Sequence, residues 1–196
     1  MTRSRSSLLT WLVAAIAAPT LLAAEGGSGA DEKVTAEATA RAIYDAVSAP
    51  AGSVPNWDRV RSFFVPEAVV VLRTSRTSTS IFTLDGFIKD FVDFYETPRK
   101  YGDAALAPRA NGFTEKVLAT RAQEFGEIAQ VAVLYEAQIV GLSRPPTRGV
   151  DLWLLTRQGG RWRIAAVVNE VVSADRPLPP DLFASVPAAT HPEDRR

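Results

Sequence analysis

The chain has 196 residues, of which 46% are hydrophobic and 22% are charged, and Lys plus Arg balance Asp plus Glu at 22 each. These values indicate one ordinary globular domain, and without a basic excess there is no ground for nucleic-acid binding. The sequence contains no cysteine, which excludes disulfides, a thiol nucleophile and thiolate metal ligands.

The first residues carry the pattern of a secretory signal peptide. Two arginines are followed by an apolar run at residues 8–18 and by small residues at 22–24. We expect residues 1–24 to be removed and the mature protein to be exported, periplasmic or secreted, without membrane attachment. An uncleaved anchor is the alternative, but Thr10 and Pro19 interrupt the apolar run, and a span needs about 20 mostly apolar residues.

The next segments predict a glycine-rich flexible lead (25–32) and a domain (33–172) that opens with helices. Asp31 is the expected N-cap of a first helix, residues 32–49. Its buried stripe is Ala36, Ala40, Ile43 and Val47. Asn56 is the expected N-cap of a short second helix that ends at Pro66. After a strand at 68–72, Thr83 opens a third helix, whose apolar face is Leu84, Phe87, Ile88, Phe91, Val92, Phe94 and Tyr95.

Long strands dominate the second half of the domain. Residues 113–125 and 128–140 predict one hairpin, and residues 148–157 and 161–170 predict another across Gln158-Gly159-Gly160. The Pro-rich tail, residues 173–196, is predicted to be mobile, with Leu182 and Phe183 docked on the body. Helices followed by strands predict an α+β domain in which helices cover one face of a curved, mostly antiparallel sheet.

Several short motifs follow one another in a distinctive order. They are Asn56-Trp57-Asp58, Phe63-Phe64-Val65-Pro66, Leu84-Asp85-Gly86-Phe87, Phe125-Gly126-Glu127-Ile128, Tyr135-Glu136, Arg148-Gly149 and Gly159-Gly160-Arg161-Trp162. In this order and spacing, residues 34–172 resemble the SnoaL-like branch of the nuclear transport factor 2-like superfamily. The resemblance implies a cone-shaped sheet with a pocket beneath the helices and dimerisation through the outer sheet face. Members include isomerases, cyclases and dehydratases, alongside proteins that only bind, so the fold does not fix the function.

Strand alternation sorts the candidate site residues onto two faces. In the last hairpin, the face expected toward the helices carries Val150, Leu152, Leu154, Thr156, Trp162, Ile164, Ala166, Val168 and Glu170. The expected outer face, a dimer interface centred on Trp153, carries Asp151, Trp153, Leu155, Arg157, Arg163, Ala165, Val167 and Asn169. In the preceding hairpin the expected inner set is Thr114, Lys116, Leu118, Thr120, Val131, Val133, Tyr135, Ala137 and Ile139. The reversed frame would instead place Glu115, Arg121 and Glu136 in the pocket.

Three side chains are candidates for chemistry. Glu170, at the end of an apolar strand, is a candidate base with a raised pKa, and a plain ion pair with Arg148 is the alternative. Asp58 is either a second base or a first-turn carboxylate that serves the helix dipole. Tyr135 is either a hydroxyl donor or a core aromatic. The predicted ligand-binding residues are Trp57, Phe91, Tyr95, Tyr135, Arg148 and Trp162.

The sequence also restricts the chemistry. The single histidine, His191, lies in the tail, so a histidine base or histidine metal site in the domain is excluded, and we expect neither metal nor cofactor. The predicted function is an exported homodimer that binds a small apolar or aromatic molecule, extending to a cofactor-free lyase or isomerase. The alternative is a non-catalytic dimeric interaction module of the cell envelope.

Overall fold

The structure is a computed structural model that describes residues 34–74, 77–96, 107–143 and 145–183. The predicted signal peptide, the glycine-rich lead and the end of the tail lie outside the described residues, as does Asp31, the expected first N-cap. In the described ranges, no helix has the length and apolar character needed to cross a bilayer.

The described ranges contain four helices. They are α1 (Ala36–Val47), α2 (Trp57–Arg61), α3 (Leu84–Glu96) and α4 (Pro108–Asn111). Thr35 caps α1, because its hydroxyl oxygen accepts the backbone N–H of Ala38 at 3.0 Å. Asn56 caps α2 as predicted, accepting the N–H of Arg59 at 3.0 Å.

One sheet connects seven strands of the described chain. They are β1 (Ala49–Pro50), β2 (Phe64–Arg73), β3 (Thr79–Thr83), β4 (Gly112–Phe125), β5 (Ile128–Ile139), β6 (Thr147–Gln158) and β7 (Arg161–Val171). Their order is β1-β4-β5-β6-β7-β2-β3, and the pairing of β2 with β7 is parallel while the other pairings are antiparallel. The predicted α+β class with a curved, mostly antiparallel sheet is confirmed.

The start of β2 differs from the prediction. Residues 64–66, expected at the end of the second helix, belong to the strand. Pro66 is accommodated because the register between β2 and β7 is interrupted between Phe64 and Val69. No residue of β7 pairs with Pro66 there, so the N–H that proline lacks is not needed for a ladder hydrogen bond.

The core lies between the helices and the concave sheet face. The predicted stripe of α1 is buried, with Ala36 and Ala40 0% exposed. It packs with residues of α2, α3 and four central strands, among them Val60, Phe87, Val131, Val133, Trp153, Ile164 and Val167. Burial of this apolar area is the main stabilising term of the fold.

Trp162 and Ile164 face the helices as predicted, but most of the other faces predicted for the last hairpin are wrong, for two reasons. The turn has two residues, Gly159-Gly160, both with positive φ, so Arg157 rather than Thr156 lies opposite Trp162. A β-bulge at Ala165 then shifts the register of β7 once more. The residues that face the helices are therefore Asp151, Trp153, Leu155, Trp162, Ile164, Val167 and Asn169. Those on the outer face are Leu152, Leu154, Ala166, Val168 and Glu170.

A second bulge alters the preceding hairpin. The register of β4 and β5 shifts at Leu118, between Val117 and Ala119. On the turn side of the bulge Thr120 faces inward as predicted, opposite Val133. Beyond it the parity is inverted, so Glu115 and Val117 face the helices in place of Thr114, Lys116 and Leu118. The inner set predicted for β5, which includes Val131, Val133 and Tyr135, is confirmed.

The beginning of the tail folds back over the outer sheet face. Ser173 and Arg176 exchange two backbone hydrogen bonds, of 3.0 and 3.1 Å, and turn the chain. Arg121 Nη1 then donates to the carbonyl oxygen of Leu182 at 3.3 Å, and Leu182 lies beside Leu152, Leu154 and Val168. We call residues 173–182 the strap. The predicted docking of Leu182 on the body is confirmed.

Candidate functional site

A cavity of about 190 Å³ lies between the concave sheet face and helices α1 and α3. Its apolar wall includes Ile43, Val47, Phe87, Phe91 and Val167, and its polar lining includes Tyr44, Glu115, Tyr135, Asp151 and Asn169. An apolar cavity of about 150 Å³ holds a benzene molecule. The space therefore suits a ligand about the size of one six-membered ring.

Asp151 is the most strongly bonded acid of the cavity. The hydroxyl of Tyr44 donates to Oδ2 at 2.5 Å, and the Asn169 amide donates to Oδ1 at 2.7 Å. The residue is only 8% exposed. Burial raises its pKa to about 6, and the hydrogen bonds from Tyr44 and Asn169 limit that rise. Asp151 is thus ionised at neutral pH and held in one orientation.

Two further hydrogen bonds extend this network. Trp153 Nε1 donates to the hydroxyl oxygen of Tyr44 at 3.0 Å, and Asn169 Nδ2 donates to the hydroxyl oxygen of Tyr135 at 2.9 Å. Burial, and then the charge of Asp151, raise the pKa of Tyr44 and of Tyr135, so both hydroxyls stay protonated. Among the described residues, none accepts the hydroxyl proton of Tyr135, which is available to a ligand.

Glu115 lines the same cavity but is bonded differently. Its backbone N–H donates to Ser48 Oγ at 2.9 Å, which ties β4 to the end of α1. No group in the described part of the chain donates a hydrogen bond to its carboxyl. Burial, followed by the charge of Asp151, raises its pKa to about 8. A carboxyl with a pKa near the working pH suits proton transfer in both directions.

The lining offers little for a metal. The described residues contain no group of three or more His, Cys, Asp or Glu side chains placed to hold an ion. Arg73, a basic residue at the cavity, is held by Glu170 through contacts of 3.0 and 2.5 Å. The polar groups that reach the cavity are thus suited to proton transfer and to hydrogen bonding.

Four of the predicted ligand-binding aromatics lie on the inner side of the sheet. Tyr135 and Phe91 line the cavity. Trp57 and Tyr95 pack together behind that wall, with ring centroids 5.8 Å apart, and the Tyr95 hydroxyl donates to the Val47 carbonyl at 2.8 Å. Trp162, a fifth predicted aromatic, is buried outside the cavity lining, with Arg157 4.7 Å from its ring centroid.

The charged candidates lie elsewhere. Arg148 Nε bonds to Glu136 at 3.1 Å, so the expected pair with Glu170 is wrong. The Arg73 hydrogen bonds hold the pKa of Glu170 below its ordinary value, which contradicts the expected raised pKa. The physical reason is the bulge at Ala165, which turns Glu170 to the outer face. Asp58 is exposed in the first turn of α2, apart from the cavity.

Four site residues escaped the sequence prediction. Tyr44 carries no signal beyond its place beside the buried stripe of α1. Glu115 was predicted to line the pocket only if the strand faces were reversed, and Asn169 was predicted to lie on the outer face. Asp151 did carry a signal, because it is the lone acid in the apolar strand Gly149-Val150-Asp151-Leu152-Trp153. An isolated acid in such a strand is either an outward residue or a buried, hydrogen-bonded one.

Comparison with known proteins bears on the fold. No protein-family profile and no curated protein matches the chain. A proposed aromatic ring hydroxylase from Novosphingobium aromaticivorans is similar at 14% identity over 73% of this chain and 90% of that chain, with a TM-score of 0.53. A nuclear transport factor 2-like protein of unknown function from Silicibacter pomeroyi is similar at 17% identity over 69% and 92%, with a TM-score of 0.46.

A second Novosphingobium aromaticivorans protein, nuclear transport factor 2-like with a cystatin-like fold, is similar at 14% identity over 62% of this chain and 73% of that chain, with a TM-score of 0.47. The chain has a nuclear transport factor 2-like fold. The fold expected from the sequence is thereby confirmed. Because this fold supports many activities, the likeness shows the architecture, and the function has to be argued from the cavity.

Proposed function

We propose that this nuclear transport factor 2-like domain binds a small neutral ring compound in its cavity and moves a proton on it, as a cofactor-free isomerase or lyase. The observation that carries the proposal is the carboxyl of Glu115, which faces the cavity without a hydrogen-bond donor among the described residues while Asp151 shares the same space. The proposed reaction is still the isomerase or lyase chemistry expected from the sequence. The proposed base is now Glu115 in place of Glu170 or Asp58.

The proton transfer uses two side chains. The ionised fraction of Glu115 takes a proton from the carbon next to a ligand carbonyl, and the electrons of the broken C–H bond move to the carbonyl oxygen. The Tyr135 hydroxyl donates a hydrogen bond to that oxygen as its negative charge develops. The protonated Glu115 then returns the proton, to another carbon in an isomerisation or to a departing hydroxyl in a dehydration.

Asp151 acts through other groups in this scheme. Its two oxygens accept hydrogen bonds from Tyr44 and Asn169, which leaves it poorly placed to accept a proton from a ligand. Its charge adds to the effect of burial, which is the larger cause of the raised pKa of Glu115. Asp151 is therefore a positioning residue, and its charge raises the pKa of Glu115 beyond what burial alone does.

The charges at the cavity favour a neutral ligand. Asp151 brings one negative charge, and Arg73 is already neutralised by Glu170. An anionic ligand would meet the Asp151 charge without an unpaired cation among the described lining residues. The apolar wall, which includes Phe87 and Phe91, suits the hydrocarbon part of a ring compound.

Deuterium exchange tests the proposal. Cyclohexanone, a single-ring ketone, is incubated in D2O near pH 8 with the protein, and deuterium at the carbons beside the carbonyl is followed by mass spectrometry. We expect incorporation above the protein-free rate and its loss in Glu115→Gln, while Glu67→Gln, which changes an exposed carboxylate, keeps the wild-type rate. Binding of cyclohexanone with exchange unaffected by Glu115→Gln would refute the chemistry and leave a binding protein.

The outer sheet face supports a homodimer as the assembly. Leu152, Leu154 and Val168 are 49%, 53% and 50% exposed there and together form an apolar patch on this face. We expect a dimer mass by light scattering and a shift toward monomer in Leu154→Glu. A monomer in the unchanged chain would contradict this assembly and remove the support for the interaction-module alternative.

Export is proposed on the sequence of residues 1–24 alone. The positive start, apolar run and small residues favour cleavage after Ala24 and a periplasmic or secreted mature chain. Intact mass of the protein from the exported fraction tests this. A chain that retains residues 1–24 would contradict it.

A further inference from the structure

Gly149 on β6 lies directly opposite Tyr135 on β5 in the antiparallel ladder. A Cβ atom built on Gly149 would collide with the hydroxyl and with ring carbons of Tyr135. Gly149 is absent from the described glycines with positive φ, so its backbone is one that other residues adopt. The glycine is therefore required for space and not for backbone conformation.

The space at Gly149 determines where the Tyr135 hydroxyl lies. With no side chain on Gly149, the ring of Tyr135 extends across β6, and its hydroxyl oxygen accepts from Asn169 on β7 at 2.9 Å. The same amide nitrogen of Asn169 donates to Asp151 at 2.7 Å. One tyrosine thus spans a whole strand to join the network of the cavity.

A side chain at position 149 would force the ring of Tyr135 away from the sheet. Tyr135 already faces the helices and lines the cavity, so the ring would be displaced on that side, past the ring of Tyr44, which packs beside it with centroids 5.7 Å apart. The lifted ring would occupy part of a volume of about 190 Å³. It would also separate the hydroxyl of Tyr135 from Asn169.

We propose that Gly149 is a specificity-determining position, which keeps the cavity open to a ring-sized ligand by letting Tyr135 lie across β6. This rests on the part of the proposed function that makes the cavity a ligand site, and it does not depend on proton transfer. Ligand size is then set by a residue that touches no ligand.

Phenol, a single-ring compound, is the binding probe, and its affinity is measured by ligand-observed NMR. We expect Gly149→Ala to bind phenol at least tenfold more weakly than the unchanged chain. Gly149→Ala with Tyr135→Phe should stay weak, since the ring carbons still collide, whereas Gly149→Ala with Tyr135→Val should regain affinity. Gly86→Ala is the matched control, because a Cβ there makes contacts of 3.4 Å or more.

Two measurements test the proposal in the absence of any ligand. A crystal structure of Gly149→Ala should show the Tyr135 ring lifted into the cavity, and thermal unfolding should show a loss of Tm in the single variant that Tyr135→Val largely restores. An unmoved ring, or an equal Tm loss with and without the tyrosine ring, would overturn the proposal. Neither result depends on whether Glu115→Gln abolishes exchange, so the two proposals fail separately.

Discussion

The hydroxyl of Tyr44 on α1 donates to Asp151 on β6 at 2.5 Å and accepts Trp153 Nε1 at 3.0 Å. One hydroxyl therefore satisfies two buried polar groups of the sheet and fixes the first helix over the cavity. Buried polar groups without partners are costly, so this bond both orders the site and stabilises the fold.

Tyr44→Phe tests that double role. Loss of the hydroxyl leaves one Asp151 oxygen and the Trp153 N–H without partners, and we expect a loss of about 1–3 kcal/mol in the free energy of unfolding. Urea unfolding measures it. Tyr135→Phe is the comparison, because Asn169 still donates to Asp151 there and the loss should be smaller. A larger loss in Tyr135→Phe would contradict this ranking.

The pKa of Glu115 predicts a pH-dependent stability. Burial raises it from 4.5 to about 8, so between those values the folded state holds a proton that the unfolded state has released. The contribution of Glu115 to stability is therefore unaffected below pH 4.5 and falls as the pH rises toward 8. Glu115→Gln removes this dependence, and its Tm relative to the unchanged chain should rise across that window.

The control for the pH experiment is Glu67→Gln, which alters an exposed carboxylate on β2. The Tm of this variant relative to the unchanged chain should stay level between pH 4.5 and 8. If the Tm difference between Glu115→Gln and the unchanged chain also stayed constant over this pH range, Glu115 would have an ordinary pKa in the folded protein. That result would weaken its proposed role in proton transfer.

Glu170→Gln separates the base expected from the sequence from the one that the structure favours. Glu170 is bound to Arg73 on the outer face, and its side chain is 42% exposed. We expect exchange of cyclohexanone to be retained and the free energy of unfolding to fall by about 1 kcal/mol or less, as for exposed ion pairs. Lost exchange in a folded variant would restore Glu170 as the candidate base.

The strap predicts a change in self-association. Leu182 lines the same outer-face groove as Leu152 and Leu154, so removal of residues 173–196 opens that apolar groove further. We expect a higher average mass by light scattering at equal concentration. A chain that ends at Phe183 keeps the strap and serves as the control. The same mass in both truncated chains would show that the strap does not limit association.

Local patterns were sufficient to predict the fold. The stripe of α1, the Asn56 cap and the long hairpins follow from spacing and propensity, and each appears in the structure. The first cap was misplaced because Thr35, four residues after Asp31, also supplies a side-chain oxygen that accepts a backbone N–H of the first turn. Pro66 was treated as a stop because only the tertiary structure shows an interrupted ladder at that point.

The site was less predictable, because each inward residue depends on strand parity. Tyr135 was placed correctly, since no irregularity separates it from Val131 on β5. Glu115 and Asp151 were placed on the wrong face by the bulge at Leu118 and by the short turn at Gly159-Gly160. Neither irregularity has a dependable sequence signature, and a single-residue shift inverts every later side chain.

The bulge at Leu118 has a consequence for how such cavities diversify. One residue gained or lost at this point would exchange Glu115 for Thr114 and Lys116 at the inner face without any substitution. An acidic cavity could thus become a basic one in a single insertion or deletion. Among relatives of this chain, the position of a one-residue gap in β4 is therefore expected to report on cavity chemistry better than the identity of the aligned residues.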